Sequence, residues 1–217
     1  MSQKIANHLL DIKAVTLSPN EPFTWSSGMK SPIYCDNRLT LSYPNVRKDI
    51  ARGLAQLIMK YAPDAEVIAG TATAGIPHAA WVADELNLPM IYVRGSAKGH
   101  GKKNKIEGHL AAASKVVMIE DLISTGGSSI AAAEAVRESG GDVCFVAAIF
   151  SYQLQAAEVQ FQEANLPYHV LSEYETLIEQ AKQRGLFRNK SNASSRYGVR
   201  ILKTKSGLWC NDKVKAV

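Results

Sequence analysis

The segment Val116-Val117-Met118-Ile119-Glu120-Asp121-Leu122-Ile123-Ser124-Thr125-Gly126-Gly127-Ser128-Ser129 sets two adjacent carboxylates directly before a turn rich in hydroxyls and glycine. These residue types at this spacing are suited to a sugar phosphate. Backbone N–H groups of Ser124 to Gly127 can converge on one anion, and the hydroxyls of Ser124, Thr125 and Ser128 add donors. Carboxylates accept hydrogen bonds from sugar hydroxyls but repel phosphate, so a ligand carrying both a phosphate and a free diol accounts for the combination. The nucleotide P-loop has a lysine after its last glycine; no lysine lies in this loop, which disfavours ordinary ATP or GTP hydrolysis. The plainer alternative is a strand-to-helix turn whose acids are solvated caps.

The elements that must position these groups follow from the flanking pattern. Four apolar residues, Val116 to Ile119, suit a central parallel strand, and Ile130, Ala133 and Val136 continue at helical spacing. The order is strand, loop, helix, with the loop at the carboxyl end where ligands of open α/β sheets gather and the helix N-terminus adding positive charge. Elsewhere helices are predicted over residues 4–15, 43–61, 76–86, 128–139, 153–164 and 173–182, and strands over 66–69, 90–93, 115–121, 143–150 and 168–171, the last at an edge. This alternation predicts a central parallel sheet flanked by helices, with a turn at Ser18-Pro19-Asn20 and an extended stretch at Pro32 to Asp36.

Two further loops fall beside the acidic motif. Gly70-Thr71-Ala72-Thr73-Ala74-Gly75-Ile76-Pro77 is small and hydroxyl-bearing, lets backbone approach an anion, and places a proline early in a helix. By itself it reads as a plain connection; beside the acids it reads as a diphosphate site. Residues 95–108 lack apolar periodicity and carry four lysines and His100, the composition of a cationic flap able to close over a polyanion.

The whole chain narrows the class. Its 217 residues suffice for one α/β domain, and no apolar run approaches the length of a membrane span. The start is amphipathic and has no secretory-signal pattern, which predicts a cytoplasmic protein. Cys35, Cys144 and Cys210 are too few and too scattered for a disulfide framework or a zinc site, and Cys144 is predicted to be core. The net charge of +5 is concentrated at the end: residues 182–217 hold ten Lys or Arg and one acid, leaving 15 basic and 19 acidic residues before them. That tail reads as a solvated terminus in preference to a nucleic-acid element.

At this point the acidic motif resembles the phosphoribosyl-pyrophosphate (PRPP) signature of type I phosphoribosyltransferases. Phe23-Thr24-Trp25-Ser26-Ser27-Gly28-Met29-Lys30-Ser31-Pro32-Ile33-Tyr34-Cys35-Asp36-Asn37-Arg38 is similar to the N-terminal hood of the orotate phosphoribosyltransferase family, and Arg94, Lys98, His100 and Gly101 match its flap pattern. The resemblance spans roughly residues 3 to 185. It implies the type I phosphoribosyltransferase fold, a single domain over 1–187 with a hood at about 1–45 and a core at about 46–187, and a basic tail over 188–217. It implies Mg²⁺-dependent transfer of ribose 5-phosphate from PRPP to orotate in UMP biosynthesis. Lys98, His100 and Asp121 are then the catalytic set. PRPP falls to Arg94, Lys98, His100, Thr73, Ala74 and the run Glu120, Asp121, Leu122, Ile123, Ser124, Thr125, Gly126, Gly127 and Ser128. Orotate falls to Ser124, Ser27 and Gly28. Mg²⁺ is expected to be held mainly by substrate oxygens, and the active sites to be shared across a homodimer.

The chain departs from some members of that family. Ser26, Ala74 and Gly95 stand where those members carry basic residues, and Gln153 stands where a basic residue often lies near orotate. Lys102, Lys103 or Lys105 is expected to compensate. Glu120 replaces a frequent aspartate with a longer acid. Two rivals are weighed: the same fold acting on another base, and a PRPP-sensing regulator that binds nucleic acid.

Overall fold

The structure is a computed structural model that describes residues 1–18, 22–24, 30–95 and 105–186, and the backbone of 202–203 and 209–210. In chain order the elements are α1 (Ser2–Asp11), β1 (Val15–Leu17), β2 (Phe23–Thr24), β3 (Lys30–Ser31), β4 (Ile33–Cys35), a 3₁₀ helix (Asn37–Ser42) and α2 (Pro44–Tyr61). Then come β5 (Val67–Thr71), α3 (Gly75–Leu86), β6 (Met90–Val93), β7 (Ile106–Glu107), β8 (Lys115–Ile123), α4 (Gly127–Glu138), β9 (Asp142–Ser151), α5 (Gln155–Glu163), β10 (Tyr168–Glu173), α6 (Tyr174–Gln183), β11 (Leu202–Lys203) and β12 (Trp209–Cys210).

Six strands form the central sheet in the order β10-β9-β8-β5-β6-β7. Neighbours run parallel except β7, which pairs antiparallel with β6 through Tyr92↔Glu107 and Val93↔Ile106. Side chains alternate across each strand, so Val117 and Ile119 of β8 share one core with α1, α2, α3 and α6, while Val116 and Met118 share the opposite core with α4 and α5. Helices on both faces explain why β5 is buried at all five residues. Each fully buried Leu, Ile or Phe contributes roughly 1.5–3 kcal/mol. Helical spacing on α2 presents Val46, Ile50, Leu54 and Ile58 to the first core.

Several boundaries differ from the sequence reading for local reasons. α1 stops at Asp11, short of residue 15, because Lys13 turns left-handed (φ 57) and the Ala14 N–H donates back to the Leu9 carbonyl at 2.9 Å. α5 starts at Gln155, later than 153, since Gln153 has φ 54 and its N–H donates to Ser151 Oγ at 3.0 Å. The central strand runs on to Ile123, past residue 121, paired with β9 as far as Ile123↔Ser151. β10 is indeed an edge strand. Cys144 is only half-buried, whereas Cys35 is buried. Within the hood, β2 and β3 pair antiparallel, as do β1 and β4. Pro19 and Asn20 of the expected turn lie outside the described residues, as does most of the basic tail; its described backbone pairs β11 with β12.

Candidate active site

The strand order reverses between β5 and β8: the chain leaves β5 for β6 on one side and returns to β8 on the other. A ligand crevice is expected at such a switch point, outside the carboxyl ends. A cleft of about 780 Å³ opens there. One wall is Ala72, Thr73 and Ala74 after β5, with a cis peptide joining Ala72 to Thr73; the floor is Glu120, Asp121, Leu122, Ser124, Thr125 and Ser128; the hood supplies Thr24, Tyr34, Cys35, Asp36, Asn37 and Arg38, and Tyr152 closes one side. The hydroxyl loop, the acids, the diphosphate loop and part of the hood, separated in sequence, are therefore brought together.

Two glycines make this convergence possible. A Cβ on Gly75 would collide with the carbonyl oxygen of Ile119, so a side chain there would push α3 off β8 and widen the gap between the two loops. Gly126, at the N-cap of α4, has φ 89, and a Cβ there would lie 2.7 Å from the Phe161 ring. With no cap side chain, the first N–H groups of α4 are left for an anion.

The acids differ in surroundings. Glu120 is 5% exposed and accepts from Ser129 Oγ at 2.9 Å, Ser128 Oγ at 3.3 Å and the Asp121 N–H at 3.0 Å. Its longer side chain thus reaches the first turn of α4. Burial, then the charge of Asp121, raises the Glu120 pKa, and burial raises that of Asp121. Asp121 meets Glu120 side chain to side chain but is less buried, which makes it the more open of the two acids to a ligand.

Sequence reasoning missed the support beneath Asp121. Asn37, 1% exposed, donates from Nδ2 to the Asp121 carbonyl at 2.6 Å and accepts from Cys35 Sγ at 3.1 Å. Thr40 Oγ1 donates to the Asn37 carbonyl at 2.6 Å and lies 3.3 Å from His78 Nε2. Since that hydroxyl proton is used, Nε2 carries the imidazole proton, and Nδ1 has no partner among the described residues. Burial lowers the His78 pKa to about 4. The Cys35 N–H donates to Tyr152 Oη at 3.0 Å, tying the hood to the end of β9. Of these residues only Cys35 and Asn37 fall in the hood stretch singled out in the sequence, and nothing in its spacing reveals the partners.

Cations flank the cleft at two separate places. A smaller cavity of about 140 Å³ shares Ala72 and Ser128 with the cleft and adds Arg94, Gly95 and Lys105. Arg94 Nη1 is 3.2 Å from Glu107 Oε1. Of the three candidate compensating lysines, Lys105 alone is described. On the hood side Arg38 donates through Nε and Nη2 to Asp36 at 2.6 and 3.0 Å, which lowers the Asp36 pKa. Gln153 does not line the cleft; its Oε1 accepts the Glu175 N–H at 3.0 Å near the start of α6. Ser27, Gly28, Lys98 and His100 lie outside the described residues.

Comparison with known proteins agrees with this geometry. The profile of the Phosphoribosyl transferase domain family matches residues 41–165. An orotate phosphoribosyltransferase from Halalkalibacterium halodurans is 62% identical over 185 residues, covering 85% of this chain and 88% of the relative. Among solved structures, Aeropyrum pernix orotate phosphoribosyltransferase superposes with a TM-score of 0.73 at 26% identity, over 82% of this chain and 98% of that one. Leishmania donovani UMP synthase gives a TM-score of 0.75 at 28% identity over 87% of this chain but only 40% of that longer protein. With the type I fold, the switch-point cleft and these likenesses in place, the chain belongs to the phosphoribosyl transferase family, among the orotate phosphoribosyltransferases.

Proposed function

We propose that the chain transfers the ribose 5-phosphate unit of PRPP to a ring nitrogen of orotate, giving orotidine 5′-phosphate and diphosphate in UMP biosynthesis. The observation that carries this reading is one cleft holding an anion-binding helix start, a carboxylate for a sugar diol and an aromatic hood. The 5-phosphate sits against the N–H groups and hydroxyls of Ser124, Thr125 and Ser128, and Asp121 accepts from the ribose hydroxyls. Glu120 holds the loop to α4 through Ser128 and Ser129. The diphosphate extends past Thr73 and Ala74 toward Arg94 and Lys105, and the base lies under Tyr34.

The bond from the anomeric carbon to the diphosphate oxygen breaks while the bond to the ring nitrogen forms. Positive charge grows on the ribose and negative charge on the departing diphosphate. Arg94, with Lys98 and His100 of the flap, stabilises the leaving group, and Asp121 favours the cationic sugar. Flap closure excludes water and strengthens each contact.

The donor chemistry of the cleft fits Mg²⁺. Among the described residues no group of three or more His, Cys, Asp or Glu forms a cage, and Asp121 is a hard oxygen donor suited to an ion that arrives with substrate phosphates and waters. Bound there, Mg²⁺ would supply Lewis-acid neutralisation of diphosphate charge. The working form is a homodimer in which each flap serves its partner's site. No helix among the described residues is long and apolar enough to cross a membrane, and a place in the cytoplasm fits this chemistry.

The test is the ultraviolet change of orotate with purified protein, PRPP and Mg²⁺, beside hypoxanthine, xanthine and uracil. Orotate-specific loss requiring both PRPP and Mg²⁺ is expected. Turnover of another base instead, or of none, would overturn the reading.

A further inference from the structure

Once PRPP is accommodated, one charge of the proposed substrates still lacks a cation among the described residues assigned so far. Loop N–H groups and hydroxyls serve the 5-phosphate, and Arg94 and Lys105 border the diphosphate end. The carboxylate of orotate lies at the other end, beneath the hood. Among the described residues lining the main cleft there are three acids, Asp36, Glu120 and Asp121, and a single cation, Arg38. Without a counter-charge this wall would repel an anionic base.

We propose that Arg38 anchors the carboxylate of the base, with Asp36 holding its guanidinium in place, a reading that rests on the function proposed above. A guanidinium presents two bidentate edges. Asp36 occupies the side edge, through Nε and Nη2. The end edge, formed by Nη1 and the second Nη2 proton, has no hydrogen-bond partner among the described residues, and the side chain remains 62% exposed. That edge can take a second carboxylate in the paired geometry guanidinium favours. Asp36 is itself fixed, because it accepts the Arg38 N–H at 3.2 Å at the start of the 3₁₀ helix. The 3₁₀ helix is tied through Asn37 to the carbonyl of Asp121.

The neighbouring hood residue defines the rest of the ligand class. Tyr34, 43% exposed, lines the same cleft and lies 5.8 Å from the Phe23 ring, offering an aromatic surface beside the cation. A ring surface next to a guanidinium edge selects a planar heterocyclic acid over a neutral base of the same size. Gln153 cannot supply this charge, being neutral and bonded to the Glu175 N–H.

Steady-state orotate kinetics with PRPP and Mg²⁺ test this on the full chain and its Arg38→Gln and Arg38→Lys variants, with uracil as an inhibitor lacking the carboxylate. Arg38→Gln should raise the orotate KM by about 10- to 100-fold, the scale of a lost charge-assisted hydrogen-bonded pair. The PRPP KM and the uracil inhibition constant should stay within about twofold, and Arg38→Lys should recover part of the orotate loss. An unchanged orotate KM in Arg38→Gln, or an equal weakening of uracil, overturns the inference while leaving the function standing. No orotate turnover by the unaltered chain overturns both.

Discussion

The two ends of β8 handle charge in opposite ways. At its amino end Lys115 pairs with Asp64, and its N–H donates to Glu66 at 2.8 Å, all in contact with solvent. At its carboxyl end Glu120 and Asp121 are neighbours, the first 5% exposed, and among the described residues neither meets a Lys or Arg at ion-pair distance. Exposed pairs contribute little to stability because water already solvates both partners. A buried acid beside a half-buried one costs stability in the free protein, an arrangement found where side chains are placed for function and not for folding. One strand thus begins at a solvent-exposed ion pair and ends at the cleft.

Breaking the carboxyl end should have the largest effect. Asp121→Asn is expected to lower turnover by about two orders of magnitude or more, the scale of one preorganised electrostatic group, checked by orotate consumption at saturating PRPP. His78 sharpens the contrast, because it is the titratable base nearest the support of Asp121 and it is buried neutral. Its folded value of about 4 lies below the ordinary 6.5, so the unfolded chain binds the extra proton between those values. The contribution of His78 to stability should therefore fall by about 3 kcal/mol as pH drops from 6.5 to 4, and level off below. Urea unfolding at pH 7 and pH 4.5 should show His78→Gln losing less over that interval than the unaltered chain.

Glu120→Gln tests the cost of the acid pair from the opposite sign. A raised folded pKa means the native state keeps its proton longer, so stability is fully present below the ordinary glutamate range and is lost as pH rises through the raised value. The variant should exceed the unaltered chain by roughly 1–3 kcal/mol at pH 8 and converge with it near pH 4. Convergence at high pH with divergence at low pH would reverse the assignment. At the amino end Asp64→Ala should leave both the melting temperature and orotate turnover within measurement error, since Asp64 and Lys115 are open to solvent.

Much of this was legible in the chain. The β8 loop and the start of α4 were readable because the acids, hydroxyls and glycines are contiguous, so local pattern alone places them. The hood is legible through its resemblance to the family's N-terminal segment, but its contacts are not. Asn37 meets Asp121 across 84 residues and Cys35 meets Tyr152 across 117, and composition carries no signal for pairings that only the sheet creates. β7 is two residues long and exists because β6 presents an open edge, a tertiary cause that periodicity does not report. The extra methylene of Glu120 looked like longer reach toward a ligand. In the fold the carboxylate turns instead to Ser128 and Ser129.

The most direct test sets the two ends of β8 against each other in one assay of orotate consumption with PRPP and Mg²⁺. The unaltered chain, the double variant Glu120→Gln with Asp121→Asn, and the double variant Asp64→Ala with Lys115→Ala would be compared at equal folded concentration. Activity lost by at least about two orders of magnitude at the carboxyl end and unchanged at the amino end is expected. Equal activity in all three proteins would contradict the placement of the reaction in this cleft.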